Sequence, residues 1–311
     1  MVDFLVNWLA NVPAFAVPYA LATLGLIVCE KSGVINLGAE GYLLVGALAG
    51  VGAMLGLDGE PFTALLAAAV AGGLLSLIFG FLVIVLRVDQ VICGLIVVFF
   101  AQGLTSLIAT RNAWTNRTFE GLGDLDLGAL SQIPFAGPIL FRQDAIVYLT
   151  VVIFALAVHI LYATNFGMRL RAVGENPQAA DAAGISVVWY RMVAVIAGGM
   201  LVGLAGGYLT VVVSKLWVDN VSGGRGWIAI ALVIFARWQP WRALAGAIVF
   251  GCIEALIPRM AAIGLQVPQY FVLMLPYVAT IAVMAWSSLS PGRKSGAPLA
   301  LGRPFVREER R

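Results

Sequence analysis

Long apolar runs recur along almost the whole chain, separated by short polar connections. A helix needs about 20 apolar residues to cross a hydrocarbon core of about 30 Å, and most of the runs approach or exceed that length. The sequence therefore predicts an all-α, polytopic bundle of about 8–10 transmembrane spans with broken helices. Nine apolar segments are recognised: Val12–Cys29, Val34–Leu57, Phe62–Leu86, Val91–Thr110, Ala145–Tyr162, Met192–Val213, Trp227–Ala236, Ala243–Ile257 and Val267–Trp286. The seventh is too short to span the membrane alone.

Charge is scarce and lies mostly between these segments. Only 11% of the 311 residues are charged, against roughly a quarter in a soluble domain. The net charge of +3 comes from connections and the tail, so it indicates topology and not a nucleic-acid partner. We predict a transmembrane domain over 1–286 that includes a cytoplasmic loop over 165–191, followed by a flexible cytoplasmic tail over 287–311.

Basic residues also orient the bundle. If the C-terminus is cytoplasmic, most of the 19 lysines and arginines fall on the cytoplasmic side, as the positive-inside rule requires. The prediction is a multi-pass membrane protein with its C-terminus inside. Glycine and polar residues interrupt the apolar runs near Gly33 and Gly223, and such helix breaks often mark a transport pathway.

The predicted cytoplasmic loop contains the signals of a short, capped helix. Asn176 can cap the helix through its side-chain oxygen, Pro177 suits the first helical position, and Gly184 suits the left-handed position after the end. The alanine-rich stretch between them could insert into a groove on another protein. A capped connector between two spans is the alternative interpretation.

Three motifs in this order resemble those of ABC-importer permeases of the branched-chain amino acid, ribose and nucleoside group, closest to the nucleoside or simple-sugar type. The first motif is Glu30–Gly41, the second is the loop helix just described, and the third is Gly224–Ala231 with Arg237–Pro240. The resemblance covers roughly 13–286 and implies a type II importer fold in a bacterial inner membrane. It assigns ATPase coupling to Gly174, Glu175, Asn176, Pro177, Ala179, Ala180, Asp181, Ala183, Gly184 and Ile185.

The resemblance also implies the partners. A second permease subunit, different or identical, would complete the pathway, a cytoplasmic ABC ATPase would dock on the loop helix, and an external binding protein would deliver the substrate. The chain has no phosphate-binding loop, since Gly292–Ser295 lacks the required earlier glycine. We therefore expect a transport subunit that is not an enzyme and holds no cofactor, with ATP and Mg²⁺ bound by the partner ATPase.

A few polar residues lie within the apolar segments, where they are costly and often functional. Asn36 and Glu40 lie one helical turn apart in the second segment, and Gln102 lies in the fourth. We expect these three to line or support the substrate pathway. Hydrogen bonds between helices that hold the fold are the alternative.

Arg225 and Trp227 lie in the second glycine-rich break, at what the segmentation makes the outer edge. They could meet the substrate or the binding protein, or anchor the chain at the interface. Glu254 is expected to pair with Arg259. The long connection Arg111–Gln143 is a candidate docking site for the external protein or a solvated loop packed on the bundle.

An ion-coupled secondary transporter is the main competing class, because it also uses broken helices. It would leave the loop helix unexplained. A membrane enzyme is disfavoured by the lack of HExxH and GxSxG motifs. Nothing in the residues separates nucleosides from simple sugars such as ribose as the substrate.

Overall fold

The computed structural model describes residues 2–57, 59–126, 128–262 and 296–307, with isolated helical positions between 274 and 285. Ten α-helices form the described part: α1 Val2–Glu30, α2 Ala39–Gly56, α3 Pro61–Gly80, α4 Gln90–Arg111, α5 Ala145–Ala163, α6 Asn165–Glu175, α7 Pro177–Ala182, α8 Val187–Tyr208, α9 Arg225–Ala236 and α10 Pro240–Ala262. Turns of π-helix continue α3 over Phe81–Val85 and α8 over Leu209–Ser214.

Seven helices among the described residues are long and apolar enough to cross a membrane. They are α1, α2, α3 with its continuation, α4, α5, α8 with its continuation, and α10. The predicted polytopic helical bundle is thus confirmed. The seventh apolar segment forms the short helix α9, and the ninth, Val267–Trp286, lies almost entirely outside the described residues.

Helix α8 packs in the middle of the bundle, against α1, α2 and α3. Glycines make this possible. A Cβ atom added to Gly203 would lie 2.4 Å from the carbonyl oxygen of Ala68, and one added to Gly206 would lie 2.0 Å from that of Leu43. Because lipid gives apolar helices no hydrophobic reason to associate, such close backbone approach supplies the van der Waals contact that holds them together.

The outer helices present apolar side chains to their surroundings. Leu66 on α3, Phe99 and Phe100 on α4 and Leu156 on α5 are all more than half exposed. A soluble protein would not show so continuous an apolar surface. These faces suit hydrocarbon or another apolar helix bundle.

The long connection between α4 and α5 is packed against the bundle. Strands β1 (Asp124–Asp126) and β2 (Arg142–Asp144) pair antiparallel within it. Asp144 is buried, accepts a hydrogen bond of 2.6 Å from the hydroxyl of Tyr208, and caps α5 by accepting from the backbone N–H of Ile146. Burial raises the pKa of this carboxyl group above its usual value.

Residues 296–307 are bonded to the bundle, whereas the sequence predicts a flexible tail over 287–311. The backbone N–H of Ala300 donates to the carbonyl of Gly174, and that of Gly302 donates to the carbonyl of Gly33. The Ala300 side chain is buried. Composition rich in glycine, proline and arginine predicted flexibility, but these backbone groups find acceptors on the bundle. The division at residue 286 stays a prediction.

Candidate functional site

Two interruptions of the helices meet inside the bundle. The first covers residues 31–38, between α1 and α2, where Gly33 has a φ of +90°. The second covers residues 215–224, between α8 with its π-helical continuation and α9, where Gly224 has a φ of +84°. Irregular backbone at membrane depth is tolerated only where protein or a water-filled cavity satisfies its polar groups.

Contacts with α4 show how deep the first break reaches. The N–H of Ile35 donates to the side-chain oxygen of Gln90, at the start of α4. A Cβ atom on Gly41 would lie 3.0 Å from the carbonyl oxygen of Val97, seven residues further along. At 1.5 Å per residue this is roughly 10 Å along a helix of roughly 33 Å. The first turn of α2 therefore lies roughly a third of the way along α4, which is long and apolar enough to cross a membrane.

Glu40 joins the two breaks. Its Oε1 atom accepts from the hydroxyl of Ser222 at 2.5 Å and from the N–H of Gly224 at 2.8 Å. Its Oε2 atom accepts from the N–H of Gly226 at 2.7 Å. Glu40 is 2% exposed. A carboxylate at the start of α9 satisfies N–H groups that have no partner within the helix and complements the helix dipole.

Close approach of the backbone explains why residue 226 is a glycine. A Cβ atom on Gly226 would lie 2.4 Å from the backbone nitrogen of Glu40. Any other residue would push the starts of α2 and α9 apart. The same contact sets the start of α9, which is only 12 residues long, at the level of Glu40.

The expectation that Asn36 lies one helical turn before Glu40 on the same helical face is wrong. Residues 34–38 are not helical, and α2 begins at Ala39. Asn36 is buried, and its Oδ1 atom accepts from the N–H of Gly38 at 3.0 Å. A side chain bonded two residues ahead competes with helix formation, so Asn36 shapes the break that leads to Glu40.

Arg225 and Glu254 form an ion pair in which the guanidinium Nη2 donates to Oε1 of the carboxylate. Both side chains are mostly buried, at 18% and 13% exposure. The neighbours of Arg225 in sequence, Gly224 and Gly226, bond to Glu40, so Arg225 lies where the two breaks meet. Its predicted position at the outer edge of the membrane stays a prediction. The predicted pairing of Glu254 with Arg259 is replaced by this ion pair.

The other two predicted pathway residues stand apart from this junction. Gln102 is half-buried on α4, and no hydrogen bond among the described residues joins its side chain to Asn36 or Glu40. Trp227, in the first turn of α9, is 36% exposed. The structure therefore gathers Asn36, Glu40 and Arg225 around the two breaks. That all five residues face a substrate pathway stays a prediction.

The loop helix has the local geometry that the sequence predicts. Asn176 accepts a hydrogen bond of 3.0 Å from the N–H of Ala179, and Pro177 is the first residue of α7. Gly184 follows the end of the helix with a φ of +79°. The local signals suffice here because a cap bond and a left-handed glycine need no distant partner.

The predicted coupling residues divide into an exposed and a buried group. The exposed ones are Glu175, Asn176, Ala179, Ala183 and Gly184, while Pro177, Asp181 and Ile185 are partly exposed. Gly174 and Ala180 are buried. Ala180 packs with Leu170 and Val187 under the helix, so it anchors α7 to the bundle. The exposed face of α7 carries Ala179, Ala182 and Ala183.

Three features of the site were missed by sequence reasoning. Ser222 is fully buried and bonds to Glu40; its place in a glycine-rich break was the available signal. Helix α6, before α7, was treated as loop, although Thr164 caps it at the N–H of Gly167. Trp238 donates to Glu30 at 2.6 Å, a contact between residues 208 apart that no local pattern indicates.

Comparison with known proteins agrees with this architecture. The family model described as the permease component of branched-chain amino acid transport systems matches residues 8–284. The guanosine ABC transporter permease protein NupQ of Bacillus subtilis is 34% identical over 95% of this chain and 95% of its own length. The nucleoside ABC transporter permease protein NupC of Lactococcus lactis is 33% identical over 89% of this chain and 90% of its own.

A third relative differs in its substrate. TsgC13 of Haloferax volcanii, whose name assigns it provisionally to glucose transport as an ABC transporter permease, is 34% identical over 93% of this chain and 94% of its own. No solved structure matches the chain.

Proposed function

Since this chain belongs to the family of permease components of branched-chain amino acid transport systems, we propose that it imports nucleosides or related small sugars, driven by ATP. The chain is an ABC transporter permease subunit and a multi-pass membrane protein, and the family works with an ATPase and a second permease subunit. It is not itself an enzyme. Membership of this family removes the ion-coupled secondary transporter as an alternative.

The substrate proposal rests on the relatives. Two of them are named for guanosine or nucleosides and one for glucose. Nucleosides are therefore the first candidate class, and simple sugars such as ribose or glucose are the second. Both are polar and uncharged and carry hydroxyl groups, which a pathway of amide, carboxylate and guanidinium groups can bind through hydrogen bonds.

The pathway proposal concerns Asn36, Glu40, Gln102, Arg225 and Trp227. The two helix breaks, over residues 31–38 and 215–224, support this proposal, because discontinuous helices with unwound backbone at membrane depth are the usual setting of a substrate site. Trp227 lies beside Arg225 in the first turn of α9, where its partly exposed ring would be available to a passing nucleoside.

One observation supports coupling through α7 above all. The helix is held at both ends and underneath, yet it presents an exposed face of Ala179, Ala182 and Ala183. Small side chains on a rigid, exposed helix suit insertion into a groove of another protein. The groove would belong to the cytoplasmic ATPase, which binds ATP and Mg²⁺.

The remaining assignments complete the importer. An external binding protein would deliver substrate to the face that carries the connection Arg111–Gln143. The positive-inside distribution of lysine and arginine supports the proposal that α7 and the C-terminus lie in the cytoplasm of a bacterial cell and that the bundle lies in its inner membrane.

The test is ATP-driven uptake in proteoliposomes that hold this chain with its partner permease, ATPase and binding protein. Purine nucleosides, ribose and glucose would be offered separately. We expect nucleoside uptake that requires ATP. Ala179→Glu and Ala183→Glu should abolish uptake without loss of the chain from the membrane, because a charged side chain on this face prevents docking.

Asn165→Glu is the matched control, since it adds the same charge to an exposed position of the same loop, away from α7. It should transport normally. Uptake that needs no ATP would overturn the importer proposal. Normal transport by Ala179→Glu and Ala183→Glu would overturn the docking role of α7, and uptake of sugars alone would replace nucleosides by the second class.

A further inference from the structure

Residues 296–307, here called the C-terminal segment, lie across two parts of the chain that the proposed mechanism must connect. One is the α6–α7 junction, which carries the helix proposed to meet the ATPase. The other is the turn after α1, which leads into the break before Glu40. The mechanism described so far gives this segment no role.

Backbone hydrogen bonds join the segment to both parts. The N–H of Ala300 donates to the carbonyl of Gly174 at 3.0 Å, and the N–H of Gly302 donates to the carbonyl of Gly33 at 3.0 Å. Gly174 and the turn also touch each other directly, because a Cβ atom on Gly174 would lie 2.2 Å from the carbonyl oxygen of Lys31. Three stretches of chain thus meet at one point.

Side chains hold the segment along its length. The ammonium group of Lys31 donates to the carbonyl of Gly296 at 2.9 Å. Its partial burial lowers the pKa of Lys31. At the other end, Arg307 pairs with Asp181 of α7 at 3.1 Å.

A buried arginine also bonds to both the turn after α1 and the C-terminal segment. Arg191, in the first turns of α8, is 2% exposed. Its Nε atom donates to the carbonyl of Ser32, and its Nη1 atom donates to the carbonyl of Arg303 at 3.0 Å. Burying an arginine is costly. A buried arginine that links the turn to the C-terminal segment therefore indicates a function for this link.

The segment also reaches the break itself. A Cβ atom on Gly302 would lie 2.8 Å from the Cδ1 atom of Ile35. Ile35 is in turn bonded through its N–H to Gln90 of α4, and it precedes Glu40 by five residues. Displacing the segment would therefore disturb the start of the break.

We propose that the C-terminal segment is a clamp that couples α7 to the break before Glu40. When the ATPase displaces α7, the clamp makes Lys31–Leu37 move with it, so that the two helix starts at Glu40 change their separation. The inference rests on the proposed function, because it needs an ATPase that acts on α7. It adds a residue range and a route of transmission to that function.

Gly302→Val tests the clamp in the full-length chain within the complete transporter. Valine disfavours the left-handed conformation of Gly302, whose φ is +77°, and its side chain meets Ile35. Ala300→Pro is the second variant, since it deletes the N–H that bonds to Gly174. Arg303→Ala is the control: its main-chain N–H donates to the carbonyl of Ala300 and its carbonyl accepts from Arg191, and the substitution leaves both groups in place.

Two readouts are combined. Uptake per ATP hydrolysed should fall by roughly 5- to 150-fold in Gly302→Val and Ala300→Pro, the range that typical coupling free energies produce. Amide hydrogen exchange should show an ATP-dependent change in both α7 and residues 31–37 of the native transporter. In the two variants the change should persist in α7 and disappear from residues 31–37, while Arg303→Ala behaves as the native chain does.

The outcomes separate the two proposals. If the variants keep native uptake per ATP and the ATP-dependent change in residues 31–37, the clamp is refuted while coupling through α7 stands. If α7 of the native transporter shows no response to the ATPase or to ATP, the coupling function itself fails, and the clamp fails with it. If the variants no longer co-purify with the ATPase, the segment is part of the docking surface and the clamp is refuted.

Discussion

Replacing Glu40 by glutamine would show whether the carboxylate holds the two helix breaks together. The side chain is buried and accepts three hydrogen bonds, from Ser222, Gly224 and Gly226. Glutamine keeps one oxygen, which can still accept the first two. Its NH₂ group would stand where the second oxygen now accepts from Gly226, so two donors would face each other.

The cost can be worked out from these contacts. A buried donor left without an acceptor costs about 1–3 kcal/mol, and more beside a charged group. Loss of a negative charge at the start of α9 adds up to about 2 kcal/mol in a buried setting. Because the two effects overlap at the same N–H groups, we expect Glu40→Gln to lower the free energy of unfolding by about 2–4 kcal/mol.

Unfolding of the purified chain in mixed micelles, titrated with a denaturing detergent and followed by tryptophan fluorescence, measures this change. Glu60→Gln is the matched control, since Glu60 is exposed and its side chain makes no capping bond. Ser222→Ala in a double-mutant cycle with Glu40→Gln should give an interaction energy of about 0.5–3 kcal/mol. If Glu40→Gln unfolds within about 0.5 kcal/mol of the native chain yet abolishes transport, the structural reasoning is refuted and Glu40 acts on the substrate.

Three further predictions concern packing, capping and charge. Gly203→Ala should prevent folding, because its Cβ atom would lie 2.4 Å from a backbone oxygen. Gly103→Ala is the control, since nothing lies within 4 Å of its Cβ atom, and it should be neutral or stabilise by up to about 1 kcal/mol. The yield of folded chain in membranes distinguishes the two variants, and equal yields would contradict the packing argument. Asn176→Ala should cost about 1 kcal/mol of local stability and speed amide exchange in the loop helix, whereas Asn176→Asp should not; unchanged exchange in the alanine variant would show that the cap is dispensable. Arg225→Met should lower the free energy of unfolding by about 3–5 kcal/mol, because it leaves a buried carboxylate unpaired. The double variant Arg225→Met with Glu254→Leu should recover most of that loss. Equal unfolding midpoints for the single and double variants would show that the ion pair contributes nothing.

The loop helix shows how far local signals extend. Asn176, Pro177 and Gly184 each act within a few residues of the chain, and the structure has the cap, the first turn and the left-handed glycine where they were predicted. The same signals could not tell that Ala180 is buried while Ala179 is exposed. That difference depends on which face of the helix meets Leu170 and Val187, and these contacts are tertiary.

Glu40 illustrates the other limit. A carboxyl group in an apolar run is costly, and that alone singled it out. Its partners lie more than 180 residues away, and Asn36 proved to be in irregular backbone, not in the same helix. A periodic pattern predicts a continuous helix when no strong breaker interrupts it. The side-chain bond from Asn36 to Gly38 is one the pattern could not reveal.

That the chain spans a membrane many times follows from its apolar runs and scarce charge, which depend on no fold. The loop helix follows from caps that act locally. Three features exist only in the folded protein: two helix breaks meet at Glu40, Arg225 pairs with Glu254, and residues 296–307 bind the turn after α1. Each of these joins residues far apart in the chain, so its energy exists only when the helices pack in this one arrangement.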